Sequence, residues 1–258
     1  MLEDAGAATR KCGIIRGVRT TGVIVAFVLA AATLPRMQDS SSAPVRTIVV
    51  DPGHGGDDGG VRGAGGMREK QLTLDVALRL RTMLQTRLAV RVVLTREDDR
   101  QVGLDDRASI ANAASGDLLL SLHANAAPAA SVAGAEIYYS GLEPALSELP
   151  LPLIADEPLT LLPWEEAQTR QFDRSARAAG LVEEELRRLV PMSTRSIRQA
   201  PLRVFRGASM PAVLVEMVFL TNPGQEKAAS AAAFKDAVAA GLTTAISRFQ
   251  TLVDPALP

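Results

Sequence analysis

His54 and His123 are the chain's two histidines, and each ends an apolar, strand-like run: IVVDPGH in one case, DLLLSLH in the other. Neutral imidazole is the commonest protein ligand for transition metals, and open α/β sheets place ligands at the carboxyl ends of their strands. Two imidazoles at such positions point to a shared metal ion. Taken singly, each has a plainer reading, His54 as a surface histidine and His123 as a satisfied core one. A third donor is available in Glu69, the first residue of a helix-like segment. The intervening stretch, GHGGDDGGVRGAGGMREK, is dense enough in glycine to fold back and bring Glu69 beside His54. The same stretch also reads as a flexible surface loop. It does not read as a phosphate cradle, because no Lys-Ser/Thr follows the glycines. Two histidines and one carboxylate match the three protein ligands of a catalytic zinc site, with the fourth place kept for water.

Hydrolysis at such a site needs a base. Glu216 lies within the apolar run AVLVEMVF. An uncompensated buried carboxylate is costly, which leaves two readings. Glu216 pairs with an arginine, Arg96 or Arg203, or it is a general base whose pKa is raised by its apolar setting. The single cysteine, Cys12, excludes an intrachain disulfide and a cysteine-rich zinc site. A net charge of −1 and an aromatic content of 3% exclude the basic patches and stacking platforms of nucleic-acid binders.

The elements that must carry these residues alternate. Strands are expected at 45–50, 90–95, 117–123, 134–140, 202–205 and 212–217, and helices at 69–88, 104–114, 170–189 and 234–252. Such alternation implies one α/β domain over 44–258, with a mostly parallel or mixed sheet of about six strands and helices on both faces. Residues 141–168 are rich in Leu, Pro and Glu and fit neither period, as expected of a functional or mobile connection. Before the domain, Arg10, Lys11, Arg16 and Arg19 precede an apolar run over 22–34 that ends in small residues, and a polar linker follows. Residues 1–43 therefore read as a secretory signal with its linker. An uncleaved N-terminal anchor, which would tie the protein to a membrane, is the alternative. Either reading exports the domain.

Six segments, in order, carry a resemblance: VVDPGHGG, REKQLTLDVALRL, VVLTREDD, LDDRASIANAASGDLLLSLHANA, GAEIYYS and PAVLVEMVFLTNP. From Ile48 to about Phe249 the chain resembles the zinc-dependent N-acetylmuramoyl-L-alanine amidases of bacterial cell walls. The resemblance implies one Zn2+ held by His54, Glu69 and His123, with Glu216 as the catalytic carboxylate. It implies a peptidoglycan substrate, cut at the amide between N-acetylmuramic acid and L-alanine, in the periplasm or cell envelope. Asp51 and Asn125 flank the ligands and are candidates to orient the imidazoles; simple turn chemistry is their other reading. Some relatives carry, near 141–168, an inserted helix that blocks the zinc until an activator protein removes it. By that analogy the stretch partly covers the site, with Glu165 or Glu166 reaching the metal. Two competing functions are a zinc peptidase acting on another wall amide and a non-catalytic wall-binding regulator. The regulator class usually loses a ligand or the base, and all four residues are present here. The chain departs from the family in its acidic GGDDGGVRGAGGM loop and in Met217-Val218-Phe219.

Overall fold

The computed structural model describes residues 45–140 and 164–253, excepting the side chains of 164–166. The signal-or-anchor expectation for 1–43, and the expectation that 141–168 covers the site through Glu165 or Glu166, fall outside the described residues. Among the described residues no helix is long and apolar enough to cross a membrane.

Six strands form one sheet: β1 (Thr47–Pro52), β2 (Arg91–Leu94), β3 (Leu118–Asn125), β4 (Ala135–Ser140), β5 (Met192–Ala200) and β6 (Ala212–Phe219), in the order β2-β1-β3-β6-β4-β5. All neighbouring pairs are parallel except β4 with β6. Strand β1 is buried along its whole length, as an apolar run in a sheet covered on both faces should be. The helices are α1 (Glu69–Leu88), α2 (Leu104–Ala113), α3 (Phe172–Arg187), α4 (Pro223–Ser230) and α5 (Ala232–Val253).

Alternate strand residues project to opposite faces, and the two faces are covered differently. Ile48, Val50, Leu118, Leu120, Leu122, Ile137, Val213 and Val215 pack beneath α1, α3 and α5, in one continuous core. Val49, Leu119, Ala212 and Leu214 form a smaller core with Ala108 and Ala111 of α2 and with Val204 and Phe205. Among the described residues, the second face is thus covered at one end only, by α2 and a short turn.

Three elements differ from the sequence expectation. Residues 202–205, expected as a strand, instead end in a single 3-10 turn at Arg203–Phe205, which drops Val204 and Phe205 into the smaller core. A run this short and apolar does not distinguish a strand from a turn. The sixth strand is β5, whose sequence MSTRSIRQA exposes five of its nine residues, a pattern suited to a polar sheet edge. Helix α4 is additional. Pro223 occupies its first turn and the Asn222 side chain accepts from the Gln225 amide at 3.1 Å, a cap and start signal of ordinary type.

Candidate metal centre and active site

The turn after β1 is held from below by two buried arginines. Arg107 donates to Asp51 Oδ1 and to the Pro52 and His54 carbonyls, at 2.5, 2.9 and 3.0 Å. Arg96, with none of its surface exposed, donates to the carbonyls of Pro52, Gly53, Lys70 and Asp98 at 2.8–3.0 Å. Reaching carbonyls of both the turn and α1, Arg96 fixes the turn against the helix. At its tip His54 adopts φ 61°, a left-handed conformation uncommon for a residue with a side chain. Gly53 has to be glycine, because a Cβ there would collide with the His123 ring. That close approach brings the two imidazoles to a 5.1 Å centroid separation.

Glu69, buried to 2% exposure, opens α1 between them. Its Oε1 lies 3.0 Å from His54 Nε2 and 2.9 Å from His123 Nδ1, and accepts from the Ala124 amide at 3.0 Å. Its Oε2 accepts from the Val61 amide at 2.8 Å. The loop from 55 to 68 does fold back as required. It passes Glu69 so closely at Gly60, where φ is +62°, that a Cβ would strike both Glu69 and His54.

One donor from each of His54, Glu69 and His123 can be chosen so that all lie within 4.8 Å of one another, a spacing that one cation can bridge. The protonation pattern supports the fit. Asp58 Oδ2 lies 2.8 Å from His54 Nδ1 and, as a carboxylate, accepts its proton. In a neutral ring the Nε2 lone pair then faces Glu69 Oε1. Two acceptors at 3.0 Å need a proton or a cation between them. Without an ion a proton is favoured there. Burial lowers the His54 pKa, but hydrogen bonds and charge from Glu69 and Asp58 raise it on balance. Burial likewise opposes ionisation of Glu69, yet hydrogen bonds from His123 and His54 hold its carboxyl far below the usual range.

Glu216 is the cross-strand partner of His123 on β3, and Glu136 of β4 is its partner on the other side. Cross-strand partners share a face, so these side chains line the part of the second face beyond α2's cover among the described residues. A register shift just beyond His123 bends β3 there, as bulges beside active sites do. Glu216 is partly exposed as a residue, while its Oε2 is buried and lacks a hydrogen-bond partner. Burial pushes its carboxyl up to about 7. The imidazole of His123 opposes that rise, and the nearby carboxylates of Glu69 and Glu136 assist it. The arginine-pair reading of Glu216 does not describe this arrangement. Arg96 is committed to backbone carbonyls, and Arg203 is exposed on the 3-10 turn.

The two flanking residues take other partners than imidazoles. Asp51 accepts from Thr95, Arg107 and Ser121, at 2.5, 2.5 and 2.7 Å, as the hub of a network under the turn. Asn125 donates to Glu136 at 3.1 Å. The residue that orients an imidazole is Asp58, which the sequence reading passed over among the loop glycines. Glu136 was also passed over; its signal was a lone acid in the strand-like GAEIYYS.

The family profile of N-acetylmuramoyl-L-alanine amidase matches residues 48–248. A Neisseria meningitidis protein named N-acetylmuramoyl-L-alanine amidase AmiC is 28% identical over 86% of this chain, which spans 56% of that relative's length. Escherichia coli AmiA, of the same name, is 29% identical over 78% of this chain and 75% of its own. The catalytic domain of the amidase CwlV from Bacillus (Paenibacillus) polymyxa superposes with a TM-score of 0.64 at 26% identity, covering 79% of this chain and 97% of that one. Sequence, fold and the ordered motifs agree, and the chain belongs to the N-acetylmuramoyl-L-alanine amidase family.

Proposed function

We propose that this protein is a zinc-dependent hydrolase that cuts the amide between N-acetylmuramic acid and L-alanine in peptidoglycan. The observation that carries the reading is the convergence of His54, Glu69 and His123, with Glu216 next to His123 on the same sheet face. In this reading His54, Glu69 and His123 are the protein ligands. Their set of two nitrogens and one carboxylate oxygen suits zinc and leaves a place for water. When bound, the ion supplies a Lewis acid for the scissile carbonyl and lowers the pKa of a water to roughly 7.

The chain's own residues do the rest. Asp58 fixes the ring tautomer of His54, so that Nε2 faces inward. The main-chain amides of Val61 and Ala124 hold the Glu69 carboxylate in place. Glu216 takes the proton of the attacking water and delivers it to the nitrogen of the departing L-alanine. Burial raises its carboxyl pKa, which suits a group that must both take and return a proton. The substrate places the work in the cell envelope, consistent with an exported chain whose residues 1–43 serve as leader or anchor.

The test is product analysis on uncrosslinked peptidoglycan strands. Mass spectrometry should find free stem peptides beginning with L-alanine, and none from Glu216→Ala at matched zinc content. A cut within the peptide would instead make the protein a peptidase, and no cut at all would remove the hydrolytic reading.

A further inference from the structure

The second face carries more than the metal ligands and Glu216. Across it, in strand order, stand His123 on β3, Glu216 on β6, Glu136 on β4 and Arg198 on β5. Arg198 is the cross-strand partner of Tyr138, two residues beyond Glu136. Glu136 is 3% exposed, and both of its oxygens are engaged. Oε2 accepts from the Tyr138 hydroxyl at 2.7 Å and from Asn125 at 3.1 Å, while Oε1 accepts from Ser193 at 3.0 Å. Its charged partner is Arg198, whose Nη2 lies 3.3 Å from Oε1.

Arg198 itself is exposed on the edge strand. Its Nε donates to the Arg195 carbonyl at 3.3 Å. Those two contacts draw the guanidinium towards Glu136 and leave its Nη1 edge without a partner among the described residues. An open guanidinium edge is suited to bidentate binding of a carboxylate. Charge argues the same way. Within the cleft, Glu136 is offset by Arg198 itself, so the guanidinium is the charge that faces the peptide side. Strands lie about 4.8 Å apart, so β5 stands two spacings, about 10 Å, across the sheet from Glu216, and the Arg198 guanidinium reaches back from it towards Glu136. An extended peptide covers ~3.3–3.6 Å per residue. With its first amide at Glu216, the peptide brings the carboxylate of its second residue to that place.

We propose that Arg198, aimed by the buried carboxylate of Glu136, selects substrates whose second stem residue bears a free carboxylate. Arg198 would touch the substrate; Glu136 is a positioning residue acting through it. The inference rests on the amidase reading above and adds the class of peptide that the enzyme takes.

The experiment compares uncrosslinked peptidoglycan strands whose second stem residue is D-glutamate with strands in which it is the amidated D-isoglutamine. The wild type should favour the carboxylate strands about tenfold in kcat/KM, through KM. Arg198→Ala should bring the ratio close to one, and Arg198→Lys should fall between, since a lysine keeps charge without the fork. Glu136→Gln should also shrink the ratio, by releasing the guanidinium. A structural role alone would slow both substrates equally and leave the ratio unmoved, which would overturn the proposal. Equal KM for both strands in the wild type would overturn it too, while leaving the amidase reading intact. Failure of the wild type to cut either strand would remove both.

Discussion

Beneath α1, α3 and α5 the sheet presents Ile48, Val50, Leu118, Leu120, Leu122, Val213 and Val215. One residue out of phase, the same strands present Asp51, Ser121, His123 and Glu216 to the face that α2 covers at one end. Each strand thus contributes to cohesion on one side and to chemistry on the other, and the period of two keeps the roles apart. The first face is dry and closely packed. The second concentrates buried charge, which only a network of arginine, carboxylate and backbone partners makes tolerable. Stability and activity should therefore respond separately to substitutions on neighbouring residues.

The largest effect is expected at Glu216. Glu216→Ala should lower kcat on peptidoglycan by roughly 10^3-fold, the middle of the range for loss of a positioned base. Zinc content and the unfolding midpoint should not fall. A matching loss of zinc or stability would blur the division between the faces.

On the opposite face, Leu120→Ala should cost about 3 kcal/mol of stability in denaturant unfolding, since it opens a cavity in a fully buried site. Its kcat, measured well below the unfolding temperature, should stay close to wild type. A large fall in kcat would show that the faces are coupled.

In the metal-free protein Glu216 gives the second face a pH dependence of its own. The Glu216 carboxyl titrates near 7 in the folded chain, against an ordinary value of 4.5. Folding therefore favours its protonated form. That contribution is complete below pH 4.5 and is lost as pH rises through 7. Above pH 7 the metal-free wild type should be less stable than Glu216→Gln by up to about 3 kcal/mol, with the gap closing towards pH 4.5. Parallel pH curves for the two proteins would refute the assigned environment.

A smaller effect is expected at Asp58, which touches the site through one imidazole. Asp58→Ala should weaken zinc binding by about 10–100-fold, as loss of a partner to a ligating histidine does. Competition with a chelator measures this, and an unchanged affinity would deny Asp58 its orienting role.

The first face and the positions of His54, Glu69 and His123 were legible in the sequence because both rest on local patterns. A β-branched apolar run marks β1 and a leucine run marks β3, each leading to a histidine, and a helical period of apolar residues marks α1 behind Glu69. What was not legible depends on distant pairing. Asp51 was noticed, but its partners Arg107 and Ser121 lie 56 and 70 residues away and make it a hub below the site. Asp58 gains meaning only once the glycine loop closes on His54. Strand β5 is polar because it forms the sheet edge, and nothing in MSTRSIRQA announces a neighbour on one side only.

The most direct test is anomalous diffraction at the zinc edge from crystals of the zinc-loaded protein. The account predicts one strong peak bonded to His54, Glu69 and His123, with the Glu216 carboxylate facing its open side. A peak elsewhere, or an ordered site in which these three side chains hold no ion, would contradict it.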